Sequence, residues 1–513
     1  MLLGSVAALT LNACSPGEPP AAPEAGSAPE ADTTTTAELA QRLVDALGGR
    51  DALERVRTLV GRGAGARTRL GQIAVTGGED PMGSLASVTE TIDFANDRAA
   101  FDYDVSVGDF TQHRTEVLTT FNGTPVGWAT GPGRPNIVTS LNGIFSWATQ
   151  NSPAMLRRRN VITVALAAAD TASASQVAEE RAFNGSVSSY GTAELPSGES
   201  IELYFDPVTG LLDGFVTLDT ETMLGDVEAE YVLDDYRPIA GPVAGLVLPH
   251  SVIIRKQDRA YSSIAYDSIA VNDPAALGIF TIPEDAVAMA EQAVAAGGSF
   301  APLMWNDVAP GIYHAVGYSH HSMVVEFPTF VAVVEGPYTE AQSLTLARIV
   351  DERIGKPIRY VVPTHPHYDH TGGLRGLAAV GATVLVAAGH EAELRAIVEA
   401  PQTNPPDELA RATSAGAEVG AVEVFSDMTV IEEDDRRLEL YEVATIPHVN
   451  PKVLAYVPGP GTLFQSDLFF GEPGPDATAL YEAVRDLDLD VQLIVGGHGG
   501  VIPFATLESA ASE

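Results

Sequence analysis

The stretch THPHYDHTGG, residues 364–373, places His365, His367, Asp369 and His370 within six residues of a chain that has 11 histidines in 513. Imidazole nitrogens and carboxylate oxygens are donors for borderline and hard cations. In a tight loop, side chains two apart, His365 and His367, can point the same way. Asp369 and His370 can turn to a second point nearby. That pattern suits two cations a few ångströms apart, and each cation needs about four donors. Nine of the 11 histidines lie between His314 and His498, so the remaining donors are expected in the C-terminal part. Three positions qualify: His448 after LELYEVATI, Asp467 closing the hairpin pattern KVLAYV–PGPG–TLFQSD, and His498 at the end of VQLIVGGH. Cys14 is the only cysteine, which leaves no intramolecular disulfide and restricts a metal site to nitrogen and oxygen ligands.

The surrounding pattern says which elements hold these residues. IRYVV reads as a buried strand, GGLRGLAAVG as a helix and TVLVAA as a second strand. The histidine-rich loop therefore leaves the C-terminal end of a strand, where open α/β sheets carry their sites. His448, Asp467 and His498 also stand at strand ends followed by loops.

Together these pieces resemble the metallo-β-lactamase fold superfamily. HPHYDH matches its His-x-His-x-Asp-His signature, followed by Thr-Gly-Gly, and His448, Asp467 in QSDLF and His498 in GGHGG follow in the family's order. SMVVEFPTFVAVVEGP resembles the opening hairpin, with Glu335-Gly336-Pro337 where many members have Asp-Thr-Gly. The resemblance implies an αββα domain over residues 300–513. It implies that His365, His367 and His448 bind a first metal, that Asp369, His370 and His498 bind a second, and that Asp467 bridges them. The donor chemistry favours two zinc ions, with iron or manganese as alternatives. Glu335 is expected to orient a ligand histidine. His320 and His321, in GYSHHSMVV, are candidates for the substrate rim.

The rest of the chain reads differently. Residues 1–14, MLLGSVAALTLNAC, resemble a bacterial lipoprotein signal in which LNAC would be cleaved and Cys14 lipidated, although no Lys or Arg precedes Arg42. Residues 15–36 are rich in Pro, Ala, Glu and Thr and read as a tether. No later apolar run is long enough to span a bilayer. Residues 37–290 form a β-rich domain. It opens with a helical pattern broken at Gly48-Gly49, continues with alternating strands, and is interrupted by a helical stretch over about Pro153–Arg181. The pieces DPVTGLLDGF, VLDDYRPIAGPVAGLVLPHSV and YDSIAVNDPAALGIFTIP resemble lipoprotein-carrier sheets of the LolA/LolB type, which implies a curved antiparallel sheet with a concave apolar face. The fold class is thus an α+β N-terminal antiparallel curved sheet followed by an αββα domain.

Composition narrows the function. A net charge of −39 disfavours nucleic acid as a partner. The absence of cysteine from the metal domain excludes the cysteine-ligand zinc β-lactamases, and the bridging aspartate resembles the glyoxalase II and lactonase branches. Only 15 residues follow His498, so the extra C-terminal domains of glyoxalase II and the alkylsulfatases are not expected. Flavodiiron proteins carry Glu where His367 stands. The expectation is a cell-envelope hydrolase, lipid-anchored and facing the periplasm or exterior. It would use a dinuclear zinc-activated hydroxide on an ester, lactone or lactam-like bond of a small molecule, with Asp369 also orienting the nucleophile. The alternatives are an iron-dependent oxygenase of the same fold and a lipid-binding protein with an idle metal site. The membrane is a partner through the lipid anchor alone.

Overall fold

The structure, a computed structural model, describes residues 34–73, 78–108, 110–130, 136–139, 159–297, 299–403, 405–446 and 448–512. The expected signal segment with Cys14, and the tether up to residue 33, lie outside the described residues. Among the described residues, no helix is long and apolar enough to cross a membrane.

The first helix, Thr36–Ala46, starts inside the expected tether. Thr35 caps it, and Glu38 returns a bond to the Thr35 N–H, so both ends of a capping box are made. The chain then turns through Gly48 and Gly49, both at positive φ, into the helix Arg50–Glu54. A Cβ at Gly48 would stand 2.6 Å from the Gly245 carbonyl oxygen, so glycine is required there by space as well as by backbone angle.

Thirteen antiparallel strands follow, from β1 (Thr58–Thr68) to β13 (Arg259–Val271). Each pairs with its sequence neighbour along β1 to β6 (Ile137–Thr139) and along β7 (Glu179–Phe183) to β13. The two runs join where β1 pairs with β13, so β6 and β7 are the edges. The helices Thr36–Ala46 and Val161–Thr171 cover one face of this sheet, burying Leu39, Leu43, Val164 and Ala168 against Leu203, Phe205 and Phe215. The expected helical stretch to Arg181 is too long. It ends at Thr171, and Glu179–Phe183 is the edge strand β7. The run TASAS after Asp170 supplies the break, with the Ser173 side chain accepting from the Ser175 and Gln176 N–H groups in competition with helical bonds. The helix Val287–Ala296 buries Ala290 and Ala293 against Val117, Val126 and Trp128 of the sheet.

The C-terminal part is two sheets back to back. The first comprises β14 (Met304–Ala309), β15 (Ile312–Val316), β16 (His321–Glu326), β17 (Val331–Val334), β18 (Ile358–Val362), β19 (Thr383–Ala387) and β20 (Val422–Phe425), antiparallel up to β17 and parallel thereafter. The second comprises β21 (Met428–Glu433), β22 (Arg436–Val443), β23 (Lys452–Val457), β24 (Thr462–Gln465), β25 (Leu493–Gly496) and β26 (Val501–Pro503), with only β24–β25 parallel. Between the sheets lie Met323, Val325, Ala332, Leu438, Leu440, Val453 and Phe464. The helices Glu340–Arg353 and Leu374–Ala379 pack outside the first sheet, and Pro475–Asp486 and Phe504–Ala510 outside the second. The result is the four-layer αββα order. Parallel neighbours need crossover connections, and these bring several strand ends to one rim.

The N-terminal sheet carries a buried ionic cluster. Arg159 bonds Glu199 at 2.7 Å and Asp219 at 3.1 Å, and Lys256 pairs with Glu221 and lies 3.4 Å from Asp219. Removing one partner strands buried charge, which costs about 3–5 kcal/mol. Arg159→Leu is therefore expected to lower the unfolding free energy of this domain by about that amount, read from the shift of its urea unfolding midpoint.

Candidate metal centre

Five of the seven expected donors and Glu335 sit at or beyond strand ends at this rim, as does His320, and Asp369 lies beside His370 just past the same loop. His370, in the short helix Tyr368–Thr371, follows the same loop. β18 ends at Val362, and the loop beyond it carries Thr364 and His365, both fully buried. Glu335 follows β17, is fully buried, and has φ 68, a conformation that costs a side chain with a Cβ. The strain is held by what its carboxylate does. Oε2 accepts from His370 Nδ1 at 2.9 Å, and Oε1 accepts from the Thr364 hydroxyl. That hydroxyl in turn accepts from His365 Nδ1 at 2.9 Å. One carboxylate thus fixes the ring protons of two histidines on their Nδ1 sides.

The opposite nitrogens, His365 Nε2 and His370 Nε2, are fully buried and make no hydrogen bond. They lie 3.1 and 3.0 Å from Asp467 Oδ2, with His448 Nε2 3.3 Å from the same oxygen. Asp467 Oδ1 is 2.8 Å from His498 Nε2. Buried ring nitrogens without a hydrogen-bond partner converge on a carboxylate oxygen here, an arrangement that a cation between them would satisfy. Asp467 also has positive φ, at 65°. The residues therefore fit a metal centre on the chemistry of their own atoms.

Two groups of four donors form around this point. His365, His367, His448 and Asp467 have ligand atoms within 4.8 Å of one another, as do His320, Asp369, His370 and His498. His367 donates from Nε2 to the Ile73 carbonyl at 2.7 Å, which leaves Nδ1 facing His448 Nε2 at 3.4 Å. His498 donates from Nδ1 to the Ser319 carbonyl at 3.1 Å, leaving Nε2 inward. His320 Nε2 is 2.8 Å from Asp369 Oδ2, and its Nδ1 is 2.7 Å from the Ser319 hydroxyl, which donates to Tyr338 Oη at 2.9 Å.

Electrostatics matches a ligand-ready state. Burial, with Lys452 and His370 adding to it, holds His365 well below the usual histidine range. Burial likewise lowers His320 strongly, and pushes His367 down to about 4. Burial opposes charge on Asp369 and Asp467, yet His370, with the His320 hydrogen bond at Asp369 and Lys452 at Asp467, holds both carboxyls well below the carboxylate range. Neutral imidazoles and ionised carboxylates are the forms that bind metal. Burial also opposes charge on His370, but Asp467, Glu335 and Asp369 raise it. Positive charge is favoured where the three carboxylates converge.

The two expected rim histidines part company. His320 enters the cluster, whereas the His321 ring packs against His314 at 5.0 Å and the backbone N–H of His321 donates to the Gly497 carbonyl. Two further residues escape a reading by motif. Lys452 is buried with Nζ 2.7 Å from the Ser466 carbonyl and 3.3 Å from Asp467 Oδ2. Its sequence signal is scarcity, because it is one of three lysines in the chain. Gln72, from the N-terminal domain, donates to Asp369 Oδ1 at 2.5 Å.

Residues 316–498 match the family model of the metallo-beta-lactamase superfamily. The C-terminal part is therefore a metallo-beta-lactamase domain, a hydrolase of that superfamily with a His/Asp cluster suited to metal. Among solved structures, the chain is similar to a metallo-beta-lactamase from Pontibacter korlensis, at 17% identity over 41% of this chain and 98% of that one, with a TM-score of 0.32. It is also similar to one from Hirschia baltica, at 16% identity over 41% of this chain and 97% of that one, with a TM-score of 0.30. FIM-1 from Pseudomonas aeruginosa, in its mono-zinc form, gives 17% identity over 42% and 95%, with a TM-score of 0.30. No curated protein matches the chain in sequence.

Glu335→Ala frees the rings of His370 and His365 at once. Loss of such an outer partner costs about 10–100-fold in metal affinity. The variant is expected to lose zinc to a competing chelator at a correspondingly lower chelator concentration than the unaltered protein.

Proposed function

We propose that this protein is a dinuclear metal-dependent hydrolase acting on an ester, lactone or lactam-like bond of a small molecule. The observation that carries the reading is the convergence of two buried imidazole nitrogens, neither with a hydrogen-bond partner, on one oxygen of Asp467. His365, His367 and His448 would hold one cation and Asp369, His370 and His498 the other, with Asp467 shared. His320 is placed as a further donor at the second position, because the Ser319–Tyr338 pair holds its Nδ1 and turns Nε2 onto Asp369. The donor set favours zinc, with iron or manganese as alternatives. Two such cations supply an activated water and an electrophilic contact for the scissile carbonyl.

The protein's own groups do the rest. Asp369 accepts from Gln72 on one oxygen and meets His320 on the other, so its carboxylate plane is held in a direction that can orient a nucleophile. Lys452 places a buried ammonium beside Asp467 and offsets part of its charge. Phe470, 59% exposed and with its ring 5.7 Å from that of His498, borders the mouth as an apolar contact for substrate.

The envelope location and the lipid anchor at Cys14 rest on the apolar opening that ends in LNAC and on the Pro-rich stretch after it. Palmitate labelling of the full-length protein in a bacterial host, lost in Cys14→Ser, is the expected result. The lipid-carrier alternative is less well supported. The cavity within the N-terminal sheet, lined by Phe101, Val252, Ile254 and Ile264 among others, is about 90 Å³. That is below the roughly 150 Å³ of a site that takes benzene.

Protein purified without added metal is expected to carry about two zinc ions per chain by elemental analysis, in keeping with a two-cation site. It should hydrolyse at least one member of an ester, lactone and β-lactam panel. His365→Ala should lose both metal and turnover. Iron with oxygen uptake, and no hydrolysis, would overturn the reading in favour of an oxygenase. His320→Ala should weaken the second ion while the first remains tight, as seen in stepwise cobalt titration.

A further inference from the structure

The N-terminal sheet reaches the metal loop through the connection that leaves β1. Gly71 accepts from the Tyr368 N–H at 2.8 Å, Ile73 accepts from His367 Nε2 at 2.7 Å, and Gln72 Nε2 donates to Asp369 Oδ1 at 2.5 Å. Three consecutive residues thus bond three consecutive residues of the signature loop. The strap is held from behind. Arg69 donates to Gln72 Oε1 at 3.1 Å, and Asp80 accepts from the Gln72 N–H at 2.9 Å. Gly71 has φ 71, and a Cβ there would stand 3.0 Å from both Met223 and Tyr368, so the close approach depends on glycine.

The chemistry of these contacts is specific. A metal-ligating histidine ordinarily donates its other N–H to a carbonyl or carboxylate, and ligating carboxylates are themselves hydrogen-bonded. Glu335, Thr364 and Ser319 serve His370, His365 and His498 in this way from within the C-terminal domain. For His367 and for the Oδ1 atom of Asp369, the partner comes from the other domain.

We propose that the Gly71–Ile73 strap is a positioning element of the metal centre, with Gln72 and the Ile73 carbonyl fixing the ligand directions of Asp369 and His367. The inference rests on the assignment of these residues as metal ligands. Gln72 is a positioning residue, since it acts through Asp369.

A second docking point supplies the control. Asp226, at the start of β11 (Gly225–Pro238), accepts from Thr403 N–H at 3.0 and 3.1 Å and from its hydroxyl at 2.6 Å. It belongs to the same domain interface, and its hydrogen bonds go to Thr220, Pro401 and Thr403 rather than to the metal loop. The full-length protein, Gln72→Met and Asp226→Asn are stripped of metal and checked by thermal unfolding. They are then titrated with Co(II) and with Zn(II) against a chelator, with the visible Co(II) spectrum recorded at each step. In Gln72→Met, affinity at the Asp369-containing position should fall by about 10–100-fold with an altered Co(II) band, while Asp226→Asn matches the unaltered protein. Equal affinities and spectra in Gln72→Met and the unaltered protein overturn the proposal. An equal loss in both variants also overturns it, since general domain docking would then be the cause. Should the unaltered protein bind one ion only, the dinuclear reading fails, and the same comparison on that ion still decides whether the strap acts.

Discussion

The centre is organised by one electrostatic demand: Asp467 Oδ2 lies 3.0–3.3 Å from the Nε2 atoms of His365, His370 and His448 and from the ammonium of Lys452. Glu335 and Thr364 engage the outer Nδ1 atoms of His370 and His365, which turns the inner Nε2 atoms of both rings onto Asp467. Without a cation, the inner nitrogens of His365 and His370 are buried with no hydrogen-bond partner. Native interiors rarely leave buried polar atoms in this state. The surrounding fold accepts positive φ at Glu335 and Asp467 to keep it, and such local strain persists only where neighbouring structure over-determines it.

Much of this was legible in the chain. HPHYDH is a local signature, and His448, Asp467 and His498 each end an apolar run that could be read as a strand. The parallel order of β18 and β19 then follows from the strand–helix–strand pattern. The direction of His320 was not legible, because His320 and His321 are adjacent and equally apolar in setting. His321 opens β16 and packs against His314, whereas His320 stands just before the strand and reaches the site. Lys452 looked like an ordinary strand residue. The end of the helix at Thr171 depended on side-chain bonds of Ser173 that compete with the backbone.

Gln72 lies beyond any local reading, since 297 residues separate it from Asp369. Only packing of the domains shows the pair. That packing is apolar as well as polar. Leu70, Phe101, Tyr103, Met223 and Tyr261 of the N-terminal sheet belong to the same buried cluster as Tyr338, Tyr368 and Leu374. Tyr368 stands between Asp369 and His367 in sequence and is itself buried in this shared core. Apolar burial therefore fixes the backbone of the signature loop, and the strap's hydrogen bonds then fix its side chains.

This division of labour bears on specificity. The strap meets His367 at the nitrogen that faces away from His448, and it meets Asp369 at the oxygen that faces away from His320. It acts on the outer sides of the ligands and leaves their inner sides to the cations. A contact of that kind changes how firmly a ligand is aimed without narrowing the space in front of it. Substrate choice is then left to the groups around the mouth, among them Phe470, while the N-terminal sheet governs the readiness of the centre itself.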